Sequence, residues 1–242
     1  MQITTAGRTK ILAERRRVER LSRIRQFLFG SMDGLLVPLG VVSGVAGGTG
    51  SVKAVVVAGL AEAFAGALSM GAGEFLSGKA EAQLHQAEIR EELESIRENP
   101  EYELEELALL LEHEGVERSN ARVIAHKLQE SPKAFIRTMV EKELGLNPEP
   151  KTARISEGVT TGLSYFATSI VPLGPYFFLP IPAAFPTSMV LTLLLLIAIG
   201  VTRGAVARVG VIASALEVLA IGVLTGGGGY LLGSLLPRAF GY

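Results

Sequence analysis

The chain of 242 residues contains no cysteine, which excludes disulfides, thiolate metal sites and cysteine nucleophiles and leaves the redox compartment unspecified. It has only three histidines, and none follows a glutamate at a spacing of three: Ala82, Leu110 and Val123 hold that place for His85, His113 and His126. A ferroxidase of ferritin type, which needs Glu-x-x-His pairs on facing helices, therefore finds little support. No glycine-rich nucleotide loop follows a strand. The GGGG run at 226–229 lies inside an apolar stretch, where it serves close helix packing or a kink, so an ATP-driven pump is not expected. No apolar h-region precedes the first long apolar run, and no cleavable signal peptide is expected. There is no internal repeat. Aspartate is nearly missing: Asp33 stands alone against 23 glutamates, in a chain of net charge -1.

What is present is apolar length. Long runs fill 27–50, 54–78, 158–185 and 188–240, and a bilayer takes about 20 apolar residues per helical span. Arg203 and Arg208 split the last run. The expectation is an all-α, multi-pass integral membrane protein with five transmembrane helices, near 27–49, 54–77, 156–173, 184–202 and 208–235. The chain then divides into a basic N-terminal segment (1–26), helices one and two (27–78), a hydrophilic helical domain (79–154) and helices three to five (155–242). Lys and Arg mark the cytoplasmic side. RTKILAERRRVERLSRIR is strongly basic and places the N-terminus there. The 79–154 block and the Arg203/Arg208 turn return to that side. The uncharged turn at 174–183 and the C-terminus fall outside.

The inserted block reads as a small amphipathic domain. QLHQAEIREELESIREN contains no breaker, so the second span continues as one long helix to Asn99-Pro100. EYELEELALLLEHEG forms a second helix ending at Gly115. SNARVIAHKLQES forms a third with Ser119 as N-cap, and SPKAFIRTMVEKELG a fourth with Pro132 in its first turn and Gly145 at its end. The apolar positions expected inside are Leu104, Leu107 and Leu111, then Val123, Ile124 and Leu128, then Phe135, Ile136 and Met139.

Acidic side chains inside apolar runs are costly and mark functional sites. Four occur: Asp33, Glu62, Glu74 and Glu217. Small neighbours flank Asp33 (Gly30, Ser31, Gly34) and Glu62 (Ala61, Ala65, Gly66) and allow close helix approach. Glu217 reads equally well as a residue near an interface or paired within the bundle. Below Met70, residues Glu74, Glu81, His85, Glu88 and Glu92 recur at helical steps, a stripe of roughly 33 Å. Its lower half reads equally as a solvated acidic face. Carboxylates suit Mg, Ca and Mn, and an added thioether favours softer divalent ions such as Fe(II).

FGSMDGLLVPLGVVSG followed by AGLAEAFAGALSMGAGEFLSGKAEAQ resembles the first two spans of the vacuolar iron transporter (CCC1-like) family. FIRTMVEKELGLNPEP and the VPLGPYFF turn resemble it too. The resemblance covers about 25–203, and more loosely the rest. It implies a homodimer with five spans and a cytoplasmic metal-binding domain, which exports Fe(II), and often Mn(II), from the cytosol by proton antiport. By motif, Asp33, Glu62 and Met70 match translocation residues, with Glu74 beside them. Glu92, Glu103, Glu106, Met139 and Glu143 match the cytoplasmic metal ligands. Three positions depart: Gln26 replaces an acidic residue, and Ser95 and Val140 replace Glu and Met of plant-type members, with Glu91 and Glu94 as alternatives to Ser95. These departures leave the cytoplasmic site poorer in ligands. The expected partners are divalent metal ions, protons, the bilayer and a second copy, with no nucleic acid, no enzymatic activity and no prosthetic group. The membrane is the plasma membrane in a prokaryote or a vacuolar-type membrane in a eukaryote. The competing function is a membrane-anchored metal sensor or sequestering protein that moves nothing; charge at the depth of Asp33 and Glu62 favours transport.

Overall fold

The structure, a computed structural model, describes residues 5–148 and 153–240. Glu149 and Pro150 of the NPEP motif lie outside the described residues, as do 1–4 of the expected N-terminal segment and 241–242 at the C-terminus. The helices are α1 (Thr5–Thr49), α2 (Val52–Glu98), α3 (Pro100–His113), α4 (Arg118–Gln129), α5 (Pro132–Lys142), α6 (Ile155–Leu173), α7 (Ile181–Ala207) and α8 (Val211–Phe240), with a 3-10 turn at Gly174–Phe177. No strand occurs among the described residues. They divide into two compact units, one running to Phe75 and resuming at Arg154, the other Leu76–Ala153.

The helix boundaries follow local chemistry. α1 gives way to α2 at Gly50, whose φ of +61° suits a residue without Cβ. The Ser51 hydroxyl then accepts the Ala54 N–H at 3.4 Å, satisfying an orphan donor of α2. Pro100 sits at the first turn of α3, where its missing N–H costs nothing, and α2 stops just before it. Gly115 and Gly145, both at positive φ, follow α3 and α5. Ser119 is not the cap of α4: the helix starts at Arg118 with Glu117 in the cap position. The charged break between the last two long helices narrows to Arg208, which ends α7 in the left-handed conformation.

Among the described residues, four helices are long and apolar enough to cross a membrane by length and composition: α1 over Ile24–Thr49, α2, α7, and α8 over Val211–Pro237. The expected five spans therefore reduce to four on that measure, and α6 is the difference. Its hydroxylated residues lower its hydropathy. Yet Thr160, Thr161, Ser164, Thr168 and Ser169 all donate to carbonyls of α6 itself, three or four residues back. Those hydroxyls need no water.

In the unit that holds these long helices, α1 packs chiefly on α6 and α8, and α7 packs on α8. Small residues set the spacing. A Cβ added at Gly30 would lie 2.5 Å from the Thr161 carbonyl oxygen, and one at Gly229 would lie 2.5 Å from that of Gly40. The GGGG run thus serves helix contact at Gly229 and at Gly226, which meets Met189. Gly227 and Gly228 face open space. α2 meets α6 the same way, through Gly71 against Gly158 and Gly162 against Ala67.

The Leu76–Ala153 unit has its own core of Leu107, Ala108, Leu111, Ala121, Ala125, Phe135 and Met139. Val123 and Ile124, expected inside, are exposed. α4 turns its alanines inward instead, and short side chains let it approach α3 and α5 closely.

Candidate functional site

Two clusters gather the acidic residues, one in each unit. In the first, α1 supplies Asp33, α2 supplies Glu62, and α6 supplies Tyr165, which is 2 % exposed. The Tyr165 hydroxyl donates to Glu62 Oε1, and Asp33 stands beside Gly34, where α1 meets the Tyr165 backbone. Asp33 and Glu62 are half-buried. Glu62 Oε2 is shielded from solvent and has no hydrogen-bond partner among the described residues. A buried acceptor left unpaired is expensive, and a cation is the partner a carboxylate takes most readily. The local sequence makes the convergence possible. Gly34 lets α1 touch the backbone of α6 at Tyr165, and Gly66 leaves room on α2 for the Tyr165 ring.

Seven residues before Asp33, about two turns along the same face of α1, Gln26 is 4 % exposed. Its Nε2 donates to Glu74 Oε1 at 3.3 Å, and its Oε1 is buried without a partner among the described residues. Met70, half-buried, stands one turn before Glu74 on α2. Glu217 does not join them. It pairs with Arg203 at 2.7 Å, both side chains partly exposed, which is the bland reading of that residue.

In the second unit, Glu92 of α2, Glu103 of α3 and Glu143, just past α5, each place a carboxylate oxygen within 4.8 Å of the others. Oxygens around a six-coordinate ion at about 2.1 Å lie about 3.0 Å apart when adjacent and about 4.2 Å apart when opposite. Glu92 and Glu103 are buried at 6 % and 2 % exposure, while Glu143 opens to water. Glu92 Oε1 and Glu103 Oε2 lack hydrogen-bond partners among the described residues. The Ser95 hydroxyl donates to the other oxygen of Glu103. Burial, then the charge and hydrogen bond of Glu143, then the charges of Glu103 and Glu106, push the Glu92 carboxyl up to about 8. Burial, then Glu143 and Glu103, raise Glu106 as well. This is the signature of carboxylates held together against their repulsion.

The other sequence candidates fall differently. Met139 is fully buried in the core beside Leu107 and Phe135, one turn before Glu143. Glu81 and Glu88 of the α2 stripe are exposed and His85 is half-buried, so among the stripe's lower residues only Glu92 is drawn inside. Tyr165, the pairing of Gln26 with Glu74, and the hydrogen bond of Ser95 were not reached from sequence. Tyr165 left one signal, an aromatic hydroxyl among small residues in LSYFAT. The partners of Gln26 and Ser95 left none.

The VIT family matches residues 24–234. A vacuolar iron transporter of Centaurea cyanus is 35% identical over 203 residues, 83% of this chain and 82% of the relative. Vacuolar iron transporter 2 of Oryza sativa subsp. japonica is 36% identical over 203 residues, 83% of this chain and 82% of the relative. Protein CCC1 of Saccharomyces cerevisiae is 29% identical over 157 residues, 64% of this chain and 48% of the relative. The match spans both carboxylate clusters, and on it the chain belongs to the VIT family.

Proposed function

We propose that the chain is a secondary transporter that exports Fe(II), and Mn(II) with it, from the cytosol in exchange for protons. The observation that carries this reading is the meeting of Asp33, Glu62 and Tyr165 inside the apolar helices, with Glu62 Oε2 buried and unpartnered. A carboxylate at that depth is tolerated when a cation or a proton neutralises it, and a group that takes either one, not both, couples their movements. Asp33, Glu62, Met70 and Glu74 form the pathway, with Tyr165 fixing Glu62 and Gln26 fixing Glu74. Glu92, Glu103, Glu106 and Glu143 bind the ion on the cytoplasmic side, and the thioether of Met139 reaches it only if the core gives way around it. The names of the relatives, vacuolar iron transporter above all, support iron as cargo.

In this reading α6 is the fifth span. Its 19 residues reach about 28 Å, close to the roughly 30 Å hydrocarbon core. The N-terminus and 79–154 lie in the cytoplasm by the Lys/Arg rule. Two copies assemble through the outer face of α2, where Ala61, Ala65, Ser69, Ala72 and Gly73 are small and exposed. The membrane is the plasma membrane of a prokaryote or a vacuolar-type membrane of a eukaryote.

The carboxylate trio alone would equally serve a membrane-anchored metal sensor or sequestering protein. Metal uptake into proteoliposomes separates the two. A transporter fills the vesicle and loses flux when Asp33→Asn or Glu62→Gln removes the intramembrane charge. A sensor binds the same metal and fills nothing.

A further inference from the structure

Ser95 reads in the sequence as a carboxylate ligand lost. The structure gives it a different part. It lies one turn after Glu92 on α2, so both side chains leave the helix on the same side, and its hydroxyl donates to Glu103 Oε1. That bond commits one oxygen of Glu103. The other, Oε2, is buried with no partner among the described residues, and so is Glu92 Oε1. Both orphaned atoms belong to residues of the trio, each of which brings a carboxylate oxygen within 4.8 Å of the others. Glu103 itself sits in the first turn of α3, where the helix N-terminus favours its charge.

We propose that Ser95 is a positioning residue for the metal site: its hydroxyl holds Glu103 by one oxygen and presents the other to an ion shared with Glu92 and Glu143. This rests on the reading of the trio as a metal site. A hydroxyl at 95 supplies a donor without charge. A carboxylate there would add another negative group to a cluster already strained by repulsion. The hydroxyl leaves Glu103 a single free oxygen, so the ion meets it end-on instead of through both oxygens. Polar groups that hydrogen-bond to metal ligands orient them, and their loss typically weakens metal binding about 10- to 100-fold.

The test uses the full chain in detergent micelles with Mn(II) as probe, bound metal being read from loss of the free-ion paramagnetic resonance signal. Glu103→Gln defines the component of binding that belongs to the trio. Ser95→Ala is expected to weaken that component about tenfold or more, and Ser95→Thr, which restores the hydroxyl, to stay within about twofold of wild type. Thermal unfolding of the metal-free Ser95→Ala protein is expected to fall modestly, because the buried Glu103 Oε1 loses its donor, so binding is compared well below both unfolding midpoints. A merely structural role would lower that unfolding and leave the affinity alone. If Glu103→Gln removes binding and Ser95→Ala does not weaken it, or if threonine fails to rescue, the positioning role is wrong while the metal site stands. If wild type shows no Mn(II) binding that Glu103→Gln removes, the metal reading itself fails, and the role of Ser95 with it.

Discussion

Gly34 follows Asp33 at the point where α1 lies against α6. A Cβ at this position would overlap the Tyr165 carbonyl oxygen and Thr168 Oγ1, and would lie 2.8 Å from Tyr165 Cα. Cβ atoms essentially never approach another heavy atom closer than 3.0 Å, and ordinary contact begins at 3.4 Å. The Thr168 hydroxyl can rotate away, but a helix carbonyl and a Cα cannot. Gly34→Ala must therefore part α1 from α6 by about 0.7 Å at the least, set by the Tyr165 carbonyl oxygen. Overpacking of this kind costs roughly 1–3 kcal/mol, partly offset by about 1 kcal/mol of helix propensity gained. The larger effect is on position, because the displaced segment carries Asp33 away from Tyr165 and Glu62. Misplacement of reacting groups by about 1 Å costs on the order of 100-fold in enzymes. A fall in metal flux of at least tenfold is the expectation here, with only a modest drop in thermal stability. Gly227, in α8, is the control: nothing lies within 4 Å of a Cβ placed there. Gly227→Ala should keep wild-type flux and stability. Both variants are purified in detergent, compared by thermal unfolding and then assayed in proteoliposomes. If Gly34→Ala transports at the wild-type rate, or if Gly227→Ala is equally damaging, the tight α1–α6 contact does not hold the site.

The folded Glu92 carboxyl is raised from 4.5 to about 8, so the folded chain keeps a proton that the unfolded chain has shed. Metal-free stability from this group is therefore fully present below 4.5 and is lost as pH climbs toward 8. A divalent ion competes with that proton, so Mn(II) affinity should rise over the same window; an affinity independent of pH would contradict the coupled trio. For sidedness, a reporter active only in the cytoplasm should work when fused near Asn147 and fail after Tyr242. The opposite pattern would overturn the orientation and the five-span reading together.

How much of this was legible in the sequence depended on whether the cause was local. α2 runs unbroken to Glu98 because nothing interrupts it before Asn99-Pro100, and that is visible in a single strand of letters. Asp33 and Glu62 stand out because a bilayer makes charge conspicuous. α6 divides the two readings. The sequence takes 156–173 as a span, while its serines and threonines, whose hydroxyls bond within their own helix, keep it out of the four helices apolar enough to cross a membrane. α4 misled for a related reason: Val123 and Ile124 have the stronger hydrophobic signal, but Ala121 and Ala125 fit the narrow space. Glu217 drew notice by its setting, and Arg203, fourteen residues earlier, answers it. Tyr165 reaches Glu62 across 103 positions of sequence, and no periodicity announces such a meeting. Ser95 is the plainest case, since its substitution looked like a loss until Glu103 appeared beside it.

The central claim is that Asp33 and Glu62 carry a divalent metal ion across the membrane against protons. The most direct measurement is Fe(II) uptake into proteoliposomes, kept under reducing conditions, with the lumen acidified relative to the outside and with no gradient. Lumenal pH is followed by a trapped dye. Wild type should take up Fe(II) faster with the acid lumen, alkalinise it as metal enters, and lose the acceleration when a protonophore collapses the gradient. Asp33→Asn should fall to the level of protein-free vesicles while still binding Mn(II) at the carboxylate trio. Uptake indifferent to the gradient would remove proton exchange from the account. Wild-type vesicles that bind metal yet take up no more than protein-free ones would contradict transport itself.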